Sequence, residues 1–293
     1  MKWRYLFLLA GIMAMSLGQA QEVFSPSFNC DRASTWAEKS ICGDALLASL
    51  DVEMDAIYGS LRNALSAEAR NSLRSEQRAW LLERERCEAQ FDAQACLLNL
   101  IFERKQNLWQ ARLAIGDLGR LAAVPLEIAS SDTLNFWGSE RRLEAISLEK
   151  DNRLQQYLSA KAEDFDVANS FVIEDMNFDG YNDLRVREFL PAGANIPYLY
   201  WLYQPAIERF IANQALSQLT SPNFDQTTGI ITSAWRSSAA SYGQDSYRYQ
   251  EGQLLLIRQE TFDYLQENTY RYRLFERLDG EMSLVKQRFE TVE

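Results

Sequence analysis

The sequence predicts an α+β fold, in which a disulfide-stapled helical bundle precedes an antiparallel all-β domain that contains a calcium loop. Three observations lead to this prediction. Apolar residues recur at helical spacing up to about residue 115, and short alternating runs separated by turn residues dominate after residue 140. Between two of those runs lies a loop rich in Asp and Asn. The β domain is expected to be a sandwich, a barrel or propeller-like, because no clean internal repeat selects one of them.

Residues 1–20 have the features of a secretory signal peptide. Lys2 and Arg4 precede an apolar run, and small residues up to Ala20 form a cleavage site. The run is too short to span a bilayer comfortably, and no later stretch is long enough for a membrane helix. We therefore expect a periplasmic protein with no membrane span after signal cleavage.

The overall charge and the absence of histidine exclude several classes of function. A formal net charge of -11 argues against nucleic acid binding, which requires a basic surface. It suits an encounter with a basic partner, although acidity that merely keeps the protein soluble explains it equally well. With no His, the chain cannot form a Ser-His-Asp or Cys-His system. A pair of carboxylates could still hydrolyse a glycosidic bond, but candidates such as Asp263 and Glu267 are isolated in the sequence. We therefore do not expect an enzyme.

Residues 28–116 are predicted to form the helical domain. Ser34 or Thr35 with Glu38 form a capping box, and Ser66 begins a later helix. The stripe of the longest early helix consists of Leu50, Met54, Ile57, Tyr58, Leu61 and Leu65. A further helix runs from Cys96 to about Ala111, and Gly116 and Gly119 end it. On the helix that Ser66 begins, Trp80 and Leu81 are expected in the core, and Arg84 is expected to pair with a carboxylate on a neighbouring helix.

The four cysteines are predicted to form two disulfides, because an exported chain folds in an oxidising compartment. They are Cys30, Cys42, Cys87 and Cys96. Three pairings are possible, and the two local ones are favoured because each closes a short segment between predicted helices. Zinc binding is not expected, since the closely paired spacing of a zinc site is missing.

Several motifs of this region together resemble the LprI-like lysozyme inhibitor N-terminal domain. They are Asn29-Cys30, Glu38-Lys39-x-Ile41-Cys42, Leu50-Asp51-x-x-Met54-x-x-x-Tyr58, Gln77-Arg78-x-Trp80-Leu81-x-x-Arg84-x-x-Cys87 and Cys96-Leu97. The resemblance covers nearly the whole helical region and implies an exported protein linked to lysozyme inhibition. The name-giving member of that family is a lipoprotein, whereas this chain has no lipid-attachment cysteine after its apolar run.

Residues 117–140, which include Pro125 and Gly138, are predicted to be a connector, and residues 141–293 the β domain. Turn residues separate alternating runs at Asp151-Asn152, Glu251-Gly252 and Asp279-Gly280, which predicts three hairpins. The aromatic residues Tyr198, Tyr200, Trp201 and Tyr203 are expected to form a buried strand rather than an exposed glycan-binding surface.

The loop from Asp175 to Asp183 is predicted to hold a structural Ca²⁺. Calcium takes six to eight oxygen ligands, which alternate Asp and Asn residues supply, and Gly180 allows the sharp turn. The predicted ligands are Asp175, Asn177, Asp179, Tyr181 and Asp183. An EF-hand would have Glu at position twelve, where Val186 stands, and the β-branched flanks indicate strands instead of helices. The alternative is a polar hairpin turn without metal.

This loop and the hairpins resemble calcium-binding, propeller-like periplasmic immunity proteins that neutralise peptidoglycan hydrolases delivered by bacterial type IV secretion systems. Lysozyme inhibitors of several folds present a Ser/Gly/Tyr-rich loop to the hydrolase cleft, and the nearest analogue here contains Ser241, Tyr242 and Gly243. Both resemblances imply an inhibitor that occludes the cleft of a lysozyme-type peptidoglycan hydrolase. A calcium-dependent cell-wall or glycan-binding module without inhibitory activity is the alternative.

Overall fold

A computed structural model describes residues 25–128, 131–266 and 268–291. The predicted signal peptide and Glu267 lie outside the described residues. The helices are α1 (Trp36–Gly43), α2 (Ala45–Ala64), α3 (Ala67–Glu85), α4 (Ala93–Ala114) and the short α5 (Gln214–Ser217), with 3-10 turns at Cys30–Arg32 and Arg86–Ala89. Within the described ranges, no helix combines the length and the apolar character needed to cross a membrane.

The first helices begin at the residues that the capping signals predict. Thr35 and Glu38 form a complete capping box at α1, and the Ser66 side chain accepts from the third N–H of α3. After α4, Gly116 adopts a left-handed conformation with φ of +81°, which few other residues tolerate. Local sequence therefore sets these boundaries.

Both local disulfides are present. Cys30 is bonded to Cys42 and Cys87 to Cys96, with separations of 12 and 9 residues. The first ties the 3-10 turn to the end of α1. The second closes the turn between α3 and α4, so both disulfides hold helix ends together as predicted.

The expectations for α3 are confirmed only in part. Trp80 is buried as predicted, at 7% exposure. Leu81 is exposed, because the next position on the helix points away from the core. The nearest carboxylate to Arg84 is Glu85 of its own helix, at 3.4 Å, and not one on a neighbouring helix. Glu85 instead reaches α1, where it accepts hydrogen bonds from Thr35 Oγ1 and from a backbone N–H.

Fourteen described strands form three consecutive antiparallel meanders. Sheet I contains β1 (Gly119–Ile128), β2 (Ser131–Ser139), β3 (Arg142–Lys150) and β4 (Arg153–Ala162). Sheet II contains β5 (Phe171–Glu174), β6 (Asp183–Arg187), β7 (Tyr198–Gln204) and β8 (Arg209–Ala212). Sheet III contains β9 (Pro222–Asp225), β10 (Ile230–Arg236), β11 (Ser241–Gln250), β12 (Gln253–Tyr264), β13 (Thr269–Leu278) and β14 (Glu281–Thr291). The all-antiparallel β region is thus confirmed, the described strands form no closed barrel, and the propeller-like arrangement stays a prediction.

The segment predicted as a connector, residues 117–140, instead contributes the first two strands of sheet I. Pro125 obscured this in the sequence because a proline cannot donate to a strand ladder. It is tolerated here because β1 is the edge strand of sheet I and pairs only with β2.

Each of the three predicted hairpin turns is present. The turn residues Asp151, Asn152, Glu251, Gly252, Asp279 and Gly280 all have positive φ. Two consecutive positive φ values twist the chain in the sense that the flanking strands require, which is why these dipeptides are reliable hairpin signals.

The helices and sheets are stacked in sequence order around three hydrophobic clusters. The first cluster joins α1–α4 to sheet I through residues such as Trp109 and Tyr157, the second lies between sheets I and II, and the third lies between sheets II and III. The predicted aromatic strand is β7, in which Tyr200, Trp201 and Tyr203 are buried as expected, whereas Tyr198 is only half-buried. No described residue of β13 or β14 belongs to any of these clusters.

Candidate functional site

The predicted calcium loop connects β5 to β6, and its side chains fold back on their own backbone. The carboxylate of Asp175 accepts from the N–H groups of Asp179 and Gly180 at 3.1 and 2.8 Å. Asn177 Oδ1 accepts from the same Asp179 N–H at 3.2 Å, and Asp179 Oδ1 accepts from the Tyr181 N–H at 2.9 Å. The side-chain oxygens of Asp175 and Asn177 thus lie close together, because both accept from the Asp179 N–H.

Asp183 has a different environment from the rest of the loop. It is fully buried, and its two oxygens accept from the backbone N–H groups of Met176 and Tyr203, each at 2.8 Å. Burial raises the pKa of Asp183 to about 7, the two hydrogen bonds oppose this shift, and the nearby Asp179 and Asp175 add to it. Asp183 therefore anchors the loop to β7 and experiences repulsion from two other carboxylates.

The loop offers a partial fit to a hard cation. In the part of the chain that the structure describes, no group of three or more His, Cys, Asp or Glu side chains is arranged to hold a metal ion. The clustered oxygens come from Asp175, Asn177 and Asp179, so an amide is one of the three donors. Asp and Asn oxygens are the donor types that calcium prefers. Tyr181 is partly exposed, with its ring 5.8 Å from that of Tyr203.

The residues predicted as an inhibitory loop lie mainly in a strand. Ser241, Tyr242 and Gly243 open β11, and the loop itself is limited to residues 237–240. Their composition suggested a loop in the sequence, but Tyr242 and Gly243 pair with both β10 and β12, and Ser241 pairs with β12. The guanidinium of Arg236 donates to the backbone carbonyls of Ser238 and Ala239 at 3.0 and 3.1 Å, which braces the turn.

Ser241 and Gly243 have structural partners within sheet III. Ser241 Oγ donates to Asp263 at 2.9 Å, and Arg271 donates to the same carboxylate at 3.0 Å. Burial works to raise the pKa of Asp263, but the hydrogen bonds from Arg271 and Ser241 outweigh it and hold the pKa below its usual value. A Cβ at Gly243 would lie 2.5 Å from the Trp235 ring, so glycine is required there for packing within the sheet.

Tyr242 belongs to a row of side chains that crosses five strands. The row consists of Arg236, Tyr242, Phe262, Tyr272 and Arg288, each paired with the next in the strand register. The Tyr242 and Phe262 rings stack 5.1 Å apart at 10°, and the Phe262 and Tyr272 centroids are also 5.1 Å apart. Arg236 and Arg288 lie over the two terminal rings at 5.9 and 4.7 Å. The faces of these rings are therefore largely occupied by one another and by the guanidinium groups.

A buried ionic cluster, which the sequence interpretation missed, joins the helices to the sheets. Glu53 of α2 is paired with Lys105 of α4, and Arg209 of β8 lies 3.9 Å from the other Glu53 oxygen. Glu53 also accepts from the Tyr157 N–H of β4 at 3.1 Å. Burial lowers the pKa of Lys105 to about 8, and Glu53 opposes that shift. The sequence did contain a signal for this cluster, because Glu53 falls within the apolar stripe of α2 and Lys105 lies in α4.

Beside this cluster, a cleft of about 460 Å³ separates α2 from β4, β7 and β8. Its lining is mostly apolar and includes Val52, Leu158, Trp201 and Phe210. The side chain of Gln156 spans the cleft floor, where it both donates to and accepts from the backbone of Phe210 at 2.7 and 2.9 Å. The cleft thus lies over a rigid, hydrogen-bonded junction between sheets I and II.

Comparison with known proteins identifies the helical part of the chain. Residues 30–108 match the family model described as lysozyme inhibitor LprI. No curated protein matches the chain. A solved structure described as a Xanthomonas type IV secretion system related protein is 18% identical, with a TM-score of 0.39 over 58% of this chain and 87% of that chain. The first resemblance is therefore confirmed for the helical domain, whereas the second stays a prediction.

Proposed function

We propose that this chain is a periplasmic inhibitor, of the immunity-protein kind, that occludes the active-site cleft of a lysozyme-type peptidoglycan hydrolase. The observation that carries the proposal is the match of residues 30–108 to a family of lysozyme inhibitors. Two disulfides suit an exported protein, and a formal net charge of -11 suits a basic partner. Inhibition by occlusion requires no catalytic group, in keeping with a chain that has no histidine.

The direct test is the clearing of a peptidoglycan suspension by a panel of lysozyme-type hydrolases, with and without the signal-free chain. We expect the chain to slow at least one hydrolase at near-stoichiometric amounts and to clear nothing alone. Because occlusion competes with substrate, soluble N-acetylglucosamine oligomers should weaken the inhibition. Sedimentation of the chain with peptidoglycan, without inhibition of any hydrolase, would favour the glycan-binding alternative.

The Ser241–Gly243 end of sheet III is the proposed contact region of the β domain. Tyr242 is 38% exposed at the rim of the braced 237–240 turn, so its free edge and hydroxyl can reach a partner. We expect Tyr242→Ala to weaken inhibition about tenfold, the effect of an ordinary interface aromatic. Leu278→Ala is the control, because Leu278 is 49% exposed but lies at the hairpin end of β13, the opposite end of sheet III. Equal inhibition by the two variants contradicts this role.

We further propose that the 175–183 loop binds Ca²⁺ as a structural ion. Asp175, Asn177 and Asp179 would hold it, and its charge would offset the repulsion that the carboxylates of Asp175 and Asp179 impose on Asp183. Calcium titrated into EDTA-treated protein should release or absorb heat and raise the melting temperature. Asp179→Asn should reduce both responses, whereas Asp151→Asn, in an exposed turn, should leave them unchanged. Absence of both responses in the unchanged chain overturns the calcium proposal.

A further inference from the structure

The most exposed large apolar side chain among the described residues is in the helical domain and not in sheet III. Phe91 has a relative exposure of 108%, compared with 38% for Tyr242. It lies in the turn between α3 and α4, inside the ring closed by Cys87 and Cys96, here called the Phe91 loop (residues 87–96). A fully exposed phenylalanine contributes nothing to the core of its own chain.

The backbone on both sides of Phe91 is fixed. On one side, Cys87 is buried, and its carbonyl accepts from the Gln90 N–H at 2.9 Å. On the other side, Asp92 caps α4, accepting from the Ala95 N–H at 2.9 Å through its side chain and from the Cys96 N–H at 3.0 Å through its carbonyl. Because the loop is already ordered, binding through Phe91 requires little loss of conformational entropy.

The charge of the loop indicates what kind of partner it fits. Glu88 and Asp92 are the ionisable residues between the two cysteines, which gives the loop a formal charge of -2. A second copy of this chain would place two acidic loops and two chains of formal net charge -11 against each other, which is unfavourable. A partner that has a basic surface with a recess for one aromatic ring would match both the negative charge of the loop and the exposed ring of Phe91.

We propose that Phe91 is an anchor residue that the helical domain inserts into the cleft of the inhibited hydrolase. This inference rests on the proposed function and assigns the main contact to the LprI-like part of the chain. The matched segment, residues 30–108, contains the entire loop. The disulfide holds the anchor in place, the two acidic residues orient the approach to a basic rim, and the ring fills a site that otherwise receives substrate.

The test compares Phe91→Ala with Phe289→Ala in the full signal-free chain, against the hydrolase that the panel identifies. Phe289 is the matched control because it is also an exposed phenylalanine, at 60%, but lies on the edge strand β14. We expect Phe91→Ala to weaken inhibition about 30-fold or more, equivalent to about 2 kcal/mol, and Phe289→Ala to change it less than twofold. The melting temperature of Phe91→Ala should equal that of the unchanged chain, since the ring packs against nothing.

Each other outcome has a defined meaning. If the unchanged chain inhibits and Phe91→Ala inhibits equally well, this inference is overturned while the proposed function stands. If the unchanged chain inhibits no hydrolase, both are overturned. If analytical ultracentrifugation shows a dimer that Phe91→Ala dissociates, the loop is a self-association surface and the inference is also overturned.

Discussion

The two ends of the molecule are stabilised in different ways. The helices and sheet I share a buried core with the Glu53–Lys105 ion pair at its edge, and two disulfides fix the helix ends. At the opposite end, β13 and β14 contribute nothing to the described hydrophobic clusters, and β14 exposes Leu284, Val285 and Phe289. There the row through Phe262 and the ion pairs of Asp263 join neighbouring strands. One end thus depends on contacts between layers, and the other on contacts between strands of one layer.

The largest effect is expected from breaking the buried ionic cluster. Glu53→Gln leaves Lys105 as an unpaired buried charge near Arg209, which should lower the free energy of unfolding by about 3–5 kcal/mol. Urea denaturation measures the change. The double variant Glu53→Gln/Lys105→Met should recover part of the loss, because it removes both buried charges. A loss below about 1 kcal/mol for the single variant would show that water reaches this junction.

Truncating one phenylalanine at each end compares the two modes of stabilisation directly. Phe136 is fully buried between sheets I and II, so Phe136→Ala should cost about 3–5 kcal/mol of unfolding free energy. Phe262→Ala removes ring pairs from the open sheet and should cost about 1–2 kcal/mol. Hydrogen exchange should then show faster opening of β12–β14 only in the second variant. Equal losses in denaturation would contradict the comparison.

Glycine replacements distinguish the same regions with smaller effects. Gly243→Ala places a methyl group 2.3 Å from the Glu260 carbonyl oxygen and should destabilise the chain by about 1–3 kcal/mol. Gly59 lies within α2, and a Cβ there would have no neighbour within 4 Å. Gly59→Ala should therefore stabilise the chain by up to about 1 kcal/mol. In thermal melts, the melting temperatures of the two variants should shift in opposite directions. Shifts of the same sign would be inconsistent with this packing.

The pH dependence of stability provides the most specific test of the buried lysine. Burial lowers the pKa of Lys105 to about 8 from the usual 10.5, so the unfolded chain binds this proton more tightly. Stability should consequently rise as the pH increases from about 8 to 10, by at least about 1 kcal/mol. Lys105→Met should show no such rise. Urea denaturation at several pH values measures the free energy of unfolding of the unchanged chain and of the variant. If the free energy rises in parallel for both, Lys105 is not the cause.

Local sequence signals were sufficient for a large part of the fold. Capping at Thr35 and Ser66, the two disulfides and the turn at Asp151-Asn152 depend on residues close together in the chain. Such features are governed by nearby hydrogen bonds and backbone angles, so a single sequence predicts them. The helical motifs likewise predicted the lysozyme inhibitor resemblance that the family model supports.

The sequence was less informative where the secondary structure of a residue depends on a distant neighbour. Polar residues at Ser241–Gly243 suggested a loop, but pairing with β10 and β12 makes them a strand. Pro125 suggested a connector, but its place on an edge strand allows it in a sheet. Neither outcome can be inferred from local propensity, because strand pairing is decided by the rest of the sheet.

The sequence by itself determined the division into a helical and an antiparallel β region, favoured the two local disulfides and indicated which kind of inhibitor the helical domain resembles. Only the tertiary structure decided that Glu53 and Arg209 meet at the junction of the layers and that Phe91 is left outside every core. The physical reason is that capping and turn formation act over a few residues. Burial, ion pairing and exposure are instead set by segments that lie far apart along the chain and meet only after folding.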